Sequence, residues 1–114
     1  MQYLLMIYVQ ESGWGTLTPA QQEQGMAAYN AYTEALTKAK VLRAVNRLGP
    51  SSSATTIRLK EGKAQVLDGP YADSKEQLGG YYVIEVPSLD EAIAWASRCP
   101  GADHGAVEVR PLWT

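Results

Sequence analysis

Tyr3 to Val9 interleaves two apolar sets: Leu5, Ile7 and Val9 alternate with Leu4, Met6 and Tyr8. Successive strand side chains point to opposite faces. The pattern therefore predicts a strand that is apolar on both sides and needs cover on both. After a loop over Glu11 to Gly15, which carries Trp14, the period changes. Thr18-Pro19-Ala20-Gln21 reads as a helix start, with Thr18 as N-cap, Pro19 at the first helical position and Gln21 closing a capping box. Met26, Tyr29, Thr33 and Leu36 then recur at three and four, which defines one helical face. Lys38 and Lys40 fall in the last turn, where cations complement the helix dipole.

Val41 to Leu48 predicts a second strand, and Gly49-Pro50-Ser51-Ser52-Ser53 a loop. Thr55 to Lys60 and Lys63 to Leu67 read as a hairpin about Glu61-Gly62, with enough charge for an exposed edge. Gly80 to Val86 is strand again. Ser88-Leu89-Asp90-Glu91 is a second capping-box pattern, followed by Leu89, Ala92, Ile93 and Ala96 at helical spacing. That helix should end near Cys99-Pro100-Gly101. Val107 to Leu112 is the last predicted strand.

The resulting order is β-α-β, a hairpin, then β-α-β. This is an α+β, ferredoxin-like split βαβ plan with an added hairpin. Two helices cover only one face of such a sheet. A second copy laid sheet to sheet would cover the other, so the pattern predicts a homodimer with a barrel-like sandwich.

Composition narrows the picture further. The chain has 114 residues, which fits one domain over 1–114. A net charge of −2 without a basic cluster argues against nucleic acid as a partner. No apolar run approaches the ~20 residues of a membrane span. No export-type leader is read at the N-terminus. The lone Cys99 has no internal disulfide partner, so a reducing cytoplasm is expected. Phe is absent while Tyr numbers seven and Trp three, and aromatic area with a polar handle suits half-wet clefts and interfaces.

The densest stretch runs from Asp68 to Val86. Asp68-Gly69-Pro70-Tyr71 predicts a tight turn, because Gly permits φ > 0 while Pro fixes φ and withholds an N–H. A polar excursion with Asp73, Lys75 and Glu76 follows, and Gly79-Gly80 leads back into a strand. At least one of that glycine pair should have φ > 0 or lie where a Cβ would clash. The Asp68-Gly69-Pro70-Tyr71 turn, the Lys75-Glu76-Gln77-Leu78-Gly79-Gly80-Tyr81-Tyr82 run and Glu108-Val109-Arg110-Pro111-Leu112 resemble the YCII-related proteins. More narrowly they resemble the branch named for an Asp-Gly-Pro-Phe motif, with Tyr71 in place of Phe. The resemblance implies a dimeric α/β barrel. It implies a dimeric module with a small-ligand cleft and an unassigned biochemical role, or alternatively an enzyme using acid/base chemistry on a small organic molecule. Some members of the family are implied to use a His and an Asp from the first helix region. Pro19 to Lys40 contains neither, so no catalytic residue carries over.

Candidate binding residues come from the excursion and the last two strands. Asp73, Lys75 and Glu76 read either as ligand or acid/base groups, or as a solvated turn capped by Asp73 and Ser74. Glu108 and Arg110 share one face of their strand, and Glu85 ends another. They read either as an anion-holding pair in a cleft or as structural ion pairs. With Tyr71 and Tyr81, the set proposed to border one cleft is Tyr71, Asp73, Tyr81, Glu85, Glu108 and Arg110. His104, the only histidine, lies beside Asp103 in a Gly-rich loop, either as a base with its orienter or as a solvated loop residue. Tyr8, Tyr29, Tyr32 and Tyr71 are pocket candidates, with Tyr29 placed in the core by its helical spacing. One His and one Cys cannot close a zinc site, and Gly79-Gly80 precedes a strand rather than a helix. No metal or cofactor is expected.

Overall fold

The computed structural model describes residues 1–113. The described residues form six strands, β1 (Gln2–Val9), β2 (Leu42–Arg47), β3 (Thr55–Lys60), β4 (Lys63–Asp68), β5 (Gln77–Glu85) and β6 (Ala106–Pro111), four α-helical segments and a single 3-10 turn at Ser51–Ser53. The helices are α1 (Glu11–Trp14), α2 (Pro19–Lys38), α3 (Leu89–Ser97) and α4 (Gly101–His104). The main sheet has the order β2-β5-β1-β6, and each neighbouring pair is antiparallel. Strands β3 and β4 form a separate two-stranded hairpin. The mixed α+β plan with the inserted hairpin is the one the sequence pattern predicts. No helix among the described residues is long and apolar enough to cross a membrane.

Both long helices pack on one face of the sheet. Tyr3, Leu5 and Ile7 of β1 and Tyr82 and Ile84 of β5 are buried there with Tyr32 and Leu36 of α2 and Ala92 and Ala96 of α3. Leu5, Leu36 and Ile84 are fully buried. Polar handles are satisfied inside this layer: the Tyr32 hydroxyl donates to the Trp95 carbonyl (2.7 Å), and Thr33 Oγ1 and the Tyr82 hydroxyl share a bond of 2.8 Å. The Tyr32 and Tyr82 rings meet edge to face, 5.2 Å apart at 87°, an arrangement favoured by the ring quadrupoles. Burial pushes the Tyr29 hydroxyl up to about 12 and raises the pKa values of Tyr32, Tyr82 and the Cys99 thiol.

The α2 start is the predicted capping box: Gln21 N–H donates to Thr18 Oγ1, and Thr18 N–H donates to Gln21 Oε1. At α3, Ser88 caps Glu91 N–H, and no return bond from Glu91 is present among the described residues. The inward face of α2 is Tyr29, Tyr32, Thr33 and Leu36, while Met26 lies 42% exposed against Arg47 at the end of β2. Three predicted loops contain single helical turns instead: α1, α4 and the 3-10 turn Ser51–Ser53. In α1, Thr16 N–H and Oγ1–H donate to the Gly13 carbonyl, and Gln22 Nε2 donates to the Trp14 carbonyl, which ties α1 to α2. In α4, Gly101 fits tightly under Ile7 and the Tyr29 hydroxyl, where a Cβ has no room.

Turn chemistry explains the remaining punctuation. Glu61 (φ 53°) and Gly62 (φ 77°) both adopt the left-handed conformation that a two-residue type I′ hairpin requires. Gly69 has φ 107° in the Asp-Gly-Pro turn, as its sequence predicts. Neither Gly79 nor Gly80 has a positive φ; the demand there is spatial. A Cβ on Gly80 would meet the Asn46 carbonyl oxygen at 2.9 Å. Gly79 lies where the β1–β5 register shifts, so it is the extra residue of a bulge. The bulge brings Leu78, rather than Gly79, opposite Tyr8.

Candidate functional site

The register defines what stands on the sheet face that carries no helix. Asn46, Tyr81, Met6 and Glu108 form one row across β2, β5, β1 and β6. Ala44, Val83, Leu4 and Arg110 form the next, and Gln2 and Glu85 continue it along β1 and β5. Neighbouring strands lie ~4.8 Å apart, so Tyr81 and Glu108 stand roughly 10 Å apart in their row. The centre of this face is apolar, and the charged groups lie toward its rims.

Four of the six residues proposed from sequence are therefore on one surface: Tyr81, Glu85, Glu108 and Arg110. Their partners are local. Glu108 and Arg110 form an ion pair along β6. Glu85 pairs with Arg43 across the sheet at 3.3 Å. The Tyr81 hydroxyl accepts a hydrogen bond from Asn46 Nδ2 at 2.9 Å. Glu85, Glu108 and Arg110 thus each have a charged partner close by. Surface ion pairs of this kind contribute only ~0–1 kcal/mol each, so they hold position more than they stabilise.

Tyr71 and Asp73 lie apart from that surface, both exposed on the segment between β4 and β5. The Arg58 guanidinium of β3 stacks on the Tyr71 ring at 5.2 Å. Among the described residues, Asp73 makes no ion pair or side-chain hydrogen bond with the other five. The segment is pinned at its end instead. Gln77 Nε2 donates to the Ser74 carbonyl (2.7 Å), and Gln77 Oε1 accepts from Glu11 N–H (3.0 Å). Glu11 in turn accepts from Ser51 N–H and Ser51 Oγ, each at 2.7 Å. Glu76 turns inward: its Oε2 lies beside Gly105, the residue after His104. His104 and Asp103 are both exposed and, among the described residues, share no hydrogen bond. Tyr29 and Tyr32 belong to the core or its margin, and Tyr8 stands on the helix-free face, so the four tyrosines do not line one pocket.

Sequence reading passed over Arg43, Asn46 and Arg58, which turn out to partner Glu85, Tyr81 and Tyr71. Period-two alternation along β2 puts Asn46 on the face of Ala44 and was a usable signal. The pairing of Arg58 with Tyr71 depends on hairpin register and was not. Two shallow hollows of about 280 and 240 Å³ lie on the helix side, along α3.

This order of elements has a match in known proteins. The YCII-related domain profile matches residues 1–114. The chain belongs to the YCII-related family. A relative in Rhizobium meliloti (strain 1021), an uncharacterized protein, is 38% identical over 114 residues and is covered over 92% of its length, against 98% of this chain. In structure, this YCII-related domain is similar to the 5-chloro-2-hydroxyhydroquinone dehydrochlorinase TftG from Burkholderia phenoliruptrix AC1100, solved in complex with 2,5-dihydroxybenzoquinone. The TM-score is 0.57 at 17% identity, over 99% of this chain and 94% of that one. That likeness establishes a shared fold.

Proposed function

We propose that this YCII-related domain acts as a homodimeric α/β barrel, its helix-free faces packed sheet to sheet, with a small-ligand cleft at the rim. The observation that carries the reading is the make-up of that face. Leu4, Met6 and Val83 form an apolar centre, while Glu85–Arg43 and Glu108–Arg110 mark opposite sides. An apolar core inside a polar rim is the anatomy of a protein interface. The cleft is bordered by Tyr81, Glu85, Glu108 and Arg110, the four proposed residues that share the helix-free face. Arg110 is its anion holder, because a planar guanidinium fork matches a carboxylate or an enolate pair of oxygens. The Asp68-Gly69-Pro70-Tyr71 turn supports placement in the Asp-Gly-Pro-Phe branch. The single free thiol, Cys99, fits a cytoplasmic protein.

A second reading, an enzyme acting on a small organic molecule, draws on the fold shared with a dehydrochlorinase. Both readings answer to one titration. 2,5-Dihydroxybenzoquinone, an acidic and strongly coloured ring, is added to wild type and to Arg110→Ala while its absorbance is followed. The proposed cleft predicts saturable binding by wild type and loss of it in the variant, with the fold intact by circular dichroism. Equal binding by both proteins contradicts the role of Arg110. Chloride release from 5-chloro-2-hydroxyhydroquinone by wild type would favour the enzyme over the module.

A further inference from the structure

The hairpin β3–β4 stands off the body with an unpaired apolar face. Ile57 pairs with Val66 and Leu59 with Ala64 on one side of the ribbon. Ile57, Leu59 and Val66 are 62%, 75% and 61% exposed. The opposite side carries Thr56–Leu67, Arg58–Gln65 and Lys60–Lys63 and is mostly polar. Thr56 Oγ1–H and Gly69 N–H close the base of the ribbon on Gly69 and Ala54 carbonyls. An isolated two-stranded ribbon is at best marginally stable in water. Here its apolar face stays exposed among the described residues. The molecule is correspondingly spread out: its extents are 48 × 42 × 18 Å. Its radius of gyration is 16.0 Å, whereas a compact chain of this length has about 13 Å.

We propose that this hairpin is a docking arm that clasps a second copy of the chain through Ile57, Leu59 and Val66. The proposal rests on the homodimer reading above and adds the element that locks it. Two quantities select the occupant. The first is area. Three aliphatic side chains at this exposure offer only about 300 Å² of apolar surface. A stable interface needs roughly 800 Å² per partner. The arm therefore adds to a larger interface rather than making one alone, and the larger uncovered surface in this chain is the helix-free sheet face. The second is reach. Six residues per strand give the arm a length of about 20 Å, and a four-stranded sheet is about 19 Å wide. The arm leaves at the corner where β2 ends and β5 begins. From that corner it is long enough to lie along the whole width of a partner sheet. In a twofold dimer the contact is made twice, once by each arm.

The test compares wild type with Leu59→Asp in sedimentation equilibrium over nanomolar to micromolar concentrations. Exposed Leu59 is not needed for the fold of the body, and circular dichroism checks that it is intact. The proposal predicts a dimer constant weakened about tenfold per arm, hence about a hundredfold in all. In hydrogen exchange, the β3–β4 amides of wild type should be protected at micromolar concentration and lose protection as the dimer dissociates. A wild-type dimer whose constant is unchanged by Leu59→Asp, or whose arm protection is independent of concentration, overturns the arm proposal alone. A wild type that stays monomeric at micromolar concentration overturns the homodimer reading with it.

Discussion

On β1, Tyr3, Leu5 and Ile7 lie under α2 and α3, while Leu4, Met6 and Tyr8, one residue away each time, face outward with no layer of their own chain above them. The two sets are similar in hydrophobicity. What differs is the supply of cover: two amphipathic helices are enough for one face only. The covered face shows what the other lacks. Tyr32 and Tyr82 end on carbonyl and hydroxyl partners, their rings meet edge to face, and Leu5, Leu36 and Ile84 are its largest fully buried side chains. On the outer face the polar groups sit toward the margins and pair with each other there. A sheet face that is apolar in the middle and charged at its edge has the pattern of a surface waiting for another surface.

The largest effect should come from the covered face. Leu36→Ala removes a fully buried side chain between α2 and the sheet and should cost about 3 kcal/mol, equal at every protein concentration. Met6→Asp on the outer face should leave monomer stability nearly unchanged and lower stability only where wild type is dimeric. Urea unfolding at two concentrations separates the two cases. Equal concentration dependence in both variants would erase the contrast between the faces.

High pH is a second probe of the covered face. Tyr29 ionises near 10.0 when unfolded and at about 12 when folded, because burial disfavours the phenolate. Tyr32 and Tyr82 shift in the same direction. The folded state therefore holds these protons more tightly, and the unfolded state binds fewer of them at alkaline pH. Their contribution is fully present below about pH 10 and is lost as pH rises towards 12. Unfolding midpoints measured from pH 8 to 12 should fall across that range, and less steeply in Tyr29→Phe. A flat profile would contradict the burial described for these rings.

Smaller effects lie at the backbone. Gly80→Ala should cost more than ~1 kcal/mol, since the new Cβ meets the Asn46 carbonyl on the neighbouring strand and both are backbone-fixed. Lys40 holds φ 61° just past the end of α2, where its N–H and that of Val41 close on the Thr37 and Leu36 carbonyls. Lys40→Gly should accordingly stabilise the fold by ~0.5–1 kcal/mol, as glycine adopts this conformation without a Cβ penalty. Thermal unfolding of the pair measures both signs at once.

Most of the architecture was legible because it depends on local rules. Alternation marked β1, the Thr18–Gln21 box marked the start of α2, and Glu61-Gly62 marked the hairpin. Short helical turns escaped notice: four residues such as Glu11 to Trp14 carry no period to detect. Met26 misled for a different reason. Its spacing fits the inward face of α2, but its turn lies at the end of β2, where its sulfur accepts from the exposed Arg47. At the candidate site, strand parity correctly put Glu108 with Arg110 on one face. It could not say that each acid there already had a local base, because Arg43 meets Glu85 only through the β2–β5 register. Nor could it say that Tyr71 would stack on Arg58 of the arm, a contact set by where the Gly69 turn returns the chain.

The mass of the protein in solution tests the account most directly. Multi-angle light scattering on wild type at micromolar concentration should give twice the 12.4 kDa of one chain. A mass of one chain at that concentration would mean that the outer face stays open to water, and would contradict the claim that a second copy completes this fold.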